Sequence, residues 1–170
     1  MKVRAIIATV AFGAATAVFT AAAAAQAAKT DPAKAAPAKA AAAGRVIEIT
    51  SDDTMKFNLA SIDAKPGETI TIKLINKGTM PKMAMGHNFV LLKTGTDVNA
   101  FSTAAVMAGQ TEYVPTDAKL KAQVIASTKI AGPGETVEVT FKAPAVAGAY
   151  DYICSFPGHF ALMKGKLNVK

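Results

Sequence analysis

Cysteine, histidine and tryptophan are scarce in this chain: its 170 residues include one cysteine, two histidines and no tryptophan. Because Cys154 has no second cysteine to pair with, an intramolecular disulfide is excluded. His87 and His159 are the only imidazoles, so sites that need three or more of them are excluded as well. Such sites include carbonic-anhydrase-like zinc centres and the copper oxidases that use many histidines.

The N-terminus has the pattern of a secretory signal peptide. Lys2 and Arg4 supply positive charge, residues 5–25 are apolar apart from three threonines, and Ala25-Gln26-Ala27 resembles a cleavage site. The alternative is an uncleaved membrane anchor. Two features argue against it: alanine is only weakly hydrophobic, and the cleavage pattern follows the apolar run directly. No cysteine lies near the cleavage position, so lipid attachment there is excluded. We predict a signal peptide over residues 1–27 and a periplasmic protein, whose mature chain has no stable membrane insertion.

The next segment, residues 28–44, is rich in alanine, lysine and proline. Pro32 and Pro37 interrupt any helix, which predicts a flexible linker. Its three lysines could contact an anionic surface, although the composition favours a solvated linker. Residues 45–170 carry 14 basic and 11 acidic side chains, and this net charge of +3 is too small to indicate nucleic-acid binding.

From residue 45 onward, apolar and polar residues alternate with a period of two, which is typical of half-buried strands. The clearest cases are Met55, Phe57 and Leu59, then ETITIKLIN and ETVEVTFKA. Further predicted strands are RVIEIT, HNFVLLK, KAQVIAST, GAYDYIC and GKLNVK. Seven to eight short strands separated by Pro/Gly turns predict an all-β domain over residues 45–170, a Greek-key sandwich or barrel.

One segment, TDVNAFSTAAVMAG, breaks the strand pattern. Thr96 or Asp97 is a possible N-cap, and Val98, Phe101 and Ala105 would share one helical face. We predict one short helix there, outside the sheets.

The chemistry of the chain is concentrated near its C-terminus. Cys154 follows a predicted strand, His159 comes five residues later, and Met163 comes four residues after His159. Thiolate, imidazole and thioether suit copper that cycles between Cu(I) and Cu(II), and two histidines with one cysteine and a weak axial methionine form a blue-copper site. The second imidazole must come from His87. Zinc is the rival metal, but it seldom accepts thioether.

Each of these residues taken alone has a simpler explanation. An isolated cysteine is usually a small buried apolar residue, a histidine a satisfied polar group and a methionine a core residue. An exported protein with one unpaired cysteine needs a further reason for it, however. Cys-x4-His-x3-Met between two strands, with only one other histidine in the chain, is a specific signal for a metal site.

The domain resembles the azurins, a family of single-domain cupredoxins. The resemblance is carried by MPKMAMGHNFVLL and CSFPGHFALMKGKLNVK, and it extends to the helix segment and to IASTKIAGPGETVEVTF, covering about residues 45–170. It implies a cupredoxin fold, one copper ion, and a trigonal plane of His87, Cys154 and His159. It also implies an axial Met163 on one side and the carbonyl of Gly86 on the other.

The resemblance further implies that Asn88 braces the ligand loop. The backbone amides of Asn88 and Phe156 would then hydrogen-bond the Cys154 sulfur and tune the potential. The chain departs from the azurins in lacking their disulfide and their buried tryptophan, so rigidity is expected from packing alone. Asn76 stands where many azurins have a non-ligating histidine, so any pH coupling attributed to that histidine should be missing. Phe160 stands where a small polar residue is common.

We therefore expect an electron-transfer protein and no enzyme, because three strong ligands and weak axial contacts leave no position for a substrate. The resemblance implies partners such as c-type cytochromes or copper nitrite reductase, met by a monomer. The predicted docking patch around His159 is apolar. It consists of Met85, Pro157, Phe160 and Leu162.

The alternative function is copper trafficking, in which Met80, Met83 and Met85 would hold Cu(I). Apolar packing or a docking surface explains these methionines more simply, because methionine fills such surfaces readily.

Overall fold

A computed structural model describes residues 44–170 as a domain of two β-sheets. The predicted signal peptide and all of the predicted linker except Gly44 lie outside the described residues and stay predictions. The strands are β1 Arg45–Ser51, β2 Ser61–Ala64, β3 Thr69–Asn76, β4 Val90–Leu92, β5 Val124–Ser127, β6 Thr136–Lys142, β7 Gly148–Ile153 and β8 Lys164–Val169. The helices are α1 Lys82–Met85, α2 Val98–Ala105 and α3 Ala118–Lys121, with 3-10 turns at Gly109–Thr111 and His159–Ala161.

The smaller sheet has the order β1-β3-β6 and the larger one the order β2-β8-β7-β4-β5. β1 runs parallel to β3 and β2 runs parallel to β8, whereas the other neighbours are antiparallel. Most sheet neighbours are distant in sequence, as in a Greek-key arrangement. The predicted all-β class with eight strands is thus confirmed.

The core lies between the two sheets and follows from the alternation in the sequence. Along β3, Ile70, Ile72 and Leu74 are fully buried while their neighbours are partly exposed. On the other side of the core, the rings of Phe89 and Tyr152 stack with their centroids 5.1 Å apart. Burial of these side chains is the main stabilising term for the domain, at about 1.5–3 kcal/mol for each large apolar side chain.

The predicted helix is α2, and its N-cap is Asp97, whose side chain accepts a hydrogen bond from the backbone of Ala100 at 3.0 Å. Phe101 packs into a second apolar cluster with Val90, Leu92 and Ile153 on the outer face of the larger sheet. α1 and α3 are single turns that the sequence analysis did not predict. They lack the apolar periodicity on which helix prediction depends, since neither helix has a buried residue.

The segment with Met55, Phe57 and Leu59 is not a strand, contrary to its alternation. Met55 has a left-handed backbone with φ of 57°, which turns the chain. Phe57 makes only an isolated bridge to Ser51, and its side chain contributes to the core. The strand in this region begins later, at Ser61, where the chain reaches β8.

A polar clamp joins the start of β1 to the turn before β3, in addition to the expected packing. The Arg45 guanidinium donates to Glu68 Oε1 at 2.7 Å and to the Asp63 carbonyl at 2.6 Å. Glu68 also accepts a hydrogen bond from the backbone of Lys65 at 2.8 Å. Rigidity was expected from packing alone, and these hydrogen bonds between Arg45, Asp63, Glu68 and Lys65 are an additional contribution.

Among residues 44–170, no helix combines the length and the apolar character needed to cross a membrane.

Candidate metal centre

The predicted copper ligands lie on segments that meet at one end of the larger sheet. β4 pairs antiparallel with β7, with Val90 opposite Ile153. His87 lies three residues before the first residue of β4 and Cys154 directly follows β7, so this register places the two residues at the same end of the sheet. His159 opens the 3-10 turn after Cys154, and Met163 precedes β8.

The donor atoms of His87, Cys154 and His159 all lie within 4.8 Å of one another. Cys154 Sγ is 3.6 Å from His159 Nδ1. Ligands that surround a first-row metal in a trigonal plane, with bonds of about 2.0–2.3 Å, stand about 3.6 Å apart. The spacing of these side chains therefore fits one metal ion between them.

Burial supports the same interpretation. His87, Cys154 and Met163 have no exposed surface, and His159 is 4% exposed. Within the described part of the chain, neither ring nitrogen of His87 has a hydrogen-bond partner. A buried imidazole without a partner is costly, and a metal ion would satisfy it.

Burial also determines the protonation of the cluster. It lowers the pKa of His159 to about 4, with a smaller contribution from the nearby His87. Burial lowers the pKa of His87 as well, against smaller raising effects of the Asp52 backbone carbonyl and of the Asp53 and Asp52 carboxylates. Both rings are therefore neutral at physiological pH, which is the form that binds metals.

The thiol behaves differently. Burial raises the pKa of Cys154 to about 12, while hydrogen bonds from the backbone amides of Asn88 and Phe156 lower it. The sulfur thus faces the two amides that the family resemblance implied. A metal ion binds the thiolate, so metal binding must release the thiol proton. The positive charge of the ion then stabilises the buried thiolate.

Backbone hydrogen bonds hold the C-terminal loop in shape. Cys154 donates to the Met163 carbonyl at 2.9 Å, and Met163 donates to the His159 carbonyl at 2.8 Å. His159 donates to the Phe156 carbonyl at 3.0 Å. Gly158 lies between Phe156 and His159 and has a φ of 81°, a left-handed conformation that glycine adopts without strain.

The His87 segment is held by a second set of contacts. His87 and Ala131 exchange two backbone hydrogen bonds, at 3.1 Å and 2.7 Å. A Cβ atom at Gly86 would meet the Ile130 side chain and would lie 2.6 Å from the Lys82 carbonyl oxygen. Only glycine fits at this position, so the segment can approach closely.

The structure adds three residues to this site that the sequence analysis missed. Asn88 donates from Nδ2 to Ser155 Oγ at 2.9 Å and to the Glu112 carbonyl at 2.8 Å. Ser155 donates from Oγ to the Tyr113 carbonyl at 2.7 Å. Glu112 and Tyr113 lie in the loop after α2, with no motif to mark them. Ser155, next to Cys154, was the only one whose sequence position pointed to the site.

Asn76 takes part in the same framework. Its side chain is buried and donates from Nδ2 to the Ala131 carbonyl at 3.1 Å, while its Oδ1 accepts from the backbone of Gly78. An amide does not titrate, so Asn76 links β3 to the partner of His87 without changing charge.

Comparison with known proteins assigns this fold and donor set. Residues 43–170 match the family described as copper binding proteins, plastocyanin/azurin family. The chain belongs to this family.

Two cupredoxins of known structure resemble the chain closely. Auracyanin A, a blue copper protein from Chloroflexus aurantiacus, is 39% identical, with a TM-score of 0.65 over 74% of this chain and 98% of that one. The azurin Az-iso2 from Methylomonas sp. strain J is also 39% identical, with a TM-score of 0.65 over 75% and 99%. Azurin from Pseudomonas denitrificans is 41% identical over 127 residues, covering 73% of this chain and 97% of that protein. The predicted azurin-like cupredoxin is thus confirmed, with copper as its cofactor.

The predicted docking patch of this cupredoxin is only partly open. Leu162 is 59% exposed, whereas Met85, Pro157 and Phe160 are half-buried. Phe160 packs against the cluster around Phe101, so it adds less to the surface than its size suggests. Of the methionines considered for trafficking, Met83 is 86% exposed and lies on α1.

Proposed function

We propose that this cupredoxin is a periplasmic type 1 (blue) copper protein that carries single electrons between redox partners. The observation that carries the proposal is the cluster of His87, Cys154 and His159, which are buried and whose donor atoms lie within 4.8 Å of one another. The copper-binding family and the blue copper relatives support it.

In this proposal, His87, Cys154 and His159 would supply the three strong ligands of the ion, and Met163 and the Gly86 carbonyl would supply two weaker contacts. Copper in such a site supplies a one-electron couple between Cu(I) and Cu(II). The protein keeps both imidazoles neutral, excludes water and holds the donors between rigid strands. Side chains held in this way move little when the charge of the site changes.

The same arrangement supports outer-sphere transfer over enzymatic activity, because the donors fill the site and leave no position for a substrate. Of the three ligands His87, Cys154 and His159, only His159 has any exposure, 4%, so we infer that electrons leave the site through this residue. The docking patch in this proposal consists of Pro157, Phe160 and Leu162, which lie close to His159 in the chain, and Met85, which lies close to His87. An apolar patch suits the brief, weak contacts of redox proteins such as c-type cytochromes or copper nitrite reductase.

Export by the N-terminal segment also belongs to this proposal. It predicts a mature protein that begins after residue 27 and carries residues 28–44 as a linker. N-terminal sequencing of the protein recovered from a periplasmic fraction tests both the location and the cleavage position.

The decisive experiment is a visible spectrum of the purified mature protein loaded with Cu(II), with metal analysis of the same sample. A Cu(II)–thiolate pair gives an intense blue band, so we expect a blue protein with one copper per chain. Cys154→Ser should lose the colour and keep a β-type circular dichroism spectrum, because most of the core lies elsewhere. Blue colour that survives this change refutes the site, and a colourless copper-loaded wild type favours the methionine-based trafficking alternative.

A further inference from the structure

We propose that Glu112 is a positioning residue for the copper ligands, acting on the His87 segment from two sides. The proposal rests on the proposed copper site and extends it to a loop that contributes no ligand.

Two contacts of Glu112 converge on the neighbours of His87. Its backbone carbonyl accepts a hydrogen bond at 2.8 Å from Nδ2 of Asn88, the residue after His87. Its carboxylate Oε2 accepts one at 2.8 Å from the backbone amide of Ile130. Ile130 precedes Ala131, which exchanges two backbone hydrogen bonds with His87. One residue therefore fixes both the segment that carries His87 and the segment that pairs with it.

The backbone at this position is unusual. Glu112 and Tyr113 have φ values of 60° and 58°, the left-handed region that residues with a Cβ rarely adopt. We call these two residues the 112–113 brace. Its conformation lets the Glu112 carbonyl meet Asn88 while the Tyr113 carbonyl accepts from Ser155 Oγ, next to Cys154. Strain of this kind persists only where the surrounding contacts hold it.

The brace also supports the second imidazole. The Tyr113 ring meets the Phe156 ring edge to face, with centroids 5.0 Å apart. Phe156 in turn lies against the His159 ring, with centroids 4.7 Å apart. The brace thus contacts one neighbour of each of the three proposed ligands. These neighbours are Asn88 beside His87, Ser155 beside Cys154, and Phe156 against the His159 ring. Hydrogen-bonding partners of this kind set ligand orientation and metal affinity.

The test compares the mature copper protein with Glu112→Ala, Glu112→Gln and Glu112→Gly. Alanine removes the carboxylate, whereas the glutamine amide oxygen still accepts from Ile130. Glycine adopts a φ near 60° without strain, so this variant tests the carboxylate even if the alanine variant does not fold. Glu138→Ala is the matched control, because it removes an exposed carboxylate from β6, away from the site.

Three quantities are measured: amide exchange of Ile130 in the copper-free protein, Cu(II) affinity by chelator competition, and the copper hyperfine splitting in the electron paramagnetic resonance spectrum. The last reports ligand geometry, which a merely structural role would leave unchanged. We expect Glu112→Ala and Glu112→Gly to exchange faster at Ile130, to lose about tenfold in affinity and to alter the splitting. Glu112→Gln should recover most of each effect.

A glycine variant with the same affinity and splitting as Glu138→Ala overturns the role of Glu112, even if Ile130 exchanges faster. A wild-type protein without the blue spectrum overturns the proposed function instead. The two failures are therefore distinguishable.

Discussion

Asn88 and Ser155, which are 67 residues apart in sequence, are joined by two hydrogen bonds shorter than 3 Å. The Ser155 amide donates to Asn88 Oδ1 at 2.8 Å, and Asn88 Nδ2 donates to Ser155 Oγ at 2.9 Å. Each residue directly follows a candidate ligand, His87 and Cys154. The pair therefore ties the two metal-binding segments together, independently of any metal ion.

This relationship predicts that Ser155→Ala destabilises the copper-free protein by about 1–3 kcal/mol, because Asn88 Nδ2 and the Tyr113 carbonyl each lose a buried partner. Urea unfolding measures the change. Ser102→Ala is the matched control, since the Ser102 hydroxyl is buried without a hydrogen-bond partner among the described residues. That variant should be neutral or slightly stabilising. Equal effects of the two substitutions would show that the Ser155 contacts contribute nothing specific.

Met163→Leu should keep the blue colour and raise the reduction potential, because loss of a weak axial donor disfavours Cu(II) more than Cu(I). Leucine is close to methionine in volume, so the fully buried position should tolerate it. Met107→Leu, at a position 88% exposed, is the control for the same chemical change. Voltammetry measures both variants, and an unchanged or lower potential for Met163→Leu argues against an axial role.

Leu162→Lys and Met85→Lys should slow electron self-exchange by roughly tenfold or more, with the copper spectrum almost unchanged. The added charge must be desolvated at the contact, and each 1.4 kcal/mol of that cost is about a factor of ten. Val146→Lys adds the same charge at an exposed apolar position next to the opposite end of β7 and should exchange at the wild-type rate. Stopped-flow rates equal to wild type for both patch variants would place the electron exit elsewhere.

Tyr152→Phe should make stability less sensitive to alkaline pH. Burial raises the pKa of Tyr152 to about 12, and its hydroxyl donates to the Leu59 carbonyl at 2.6 Å. In the unfolded chain a tyrosine ionises at a pH of about 10. The wild type should therefore lose about 1 kcal/mol of relative stability per pH unit above about 10, up to about 12.

Below about pH 10 the wild type should be more stable than Tyr152→Phe by about 1 kcal/mol, the net value of one hydrogen bond. Denaturant titrations of the copper-free proteins at a series of pH values measure the difference. A gap that stays constant through this range would contradict burial of the phenol as the cause.

Local patterns in the sequence determined much of this protein. Alternation in ETITIKLIN predicted β3 because a strand with one buried face must repeat every two residues. Thr96 or Asp97 predicted the start of α2 because an N-cap acts within three residues, and the structure shows that Asp97 is the cap. Cys154, His159 and Met163 were identifiable together because one short loop carries all three, and His87 was the only remaining imidazole.

Only the tertiary structure decided the features that depend on distant contacts or on unusual backbone conformations. The alternation around Phe57 did not produce a strand, because the left-handed turn at Met55 directs the chain away from regular pairing. The role of Glu112 depends on partners 18 and 24 residues away and on a φ of 60° in a residue other than glycine. The exposure of Phe160 depends on a helix that precedes it by more than fifty residues. Periodicity reports which face of an element is buried, whereas the pairing of loops is determined by how the sheets bring their ends together.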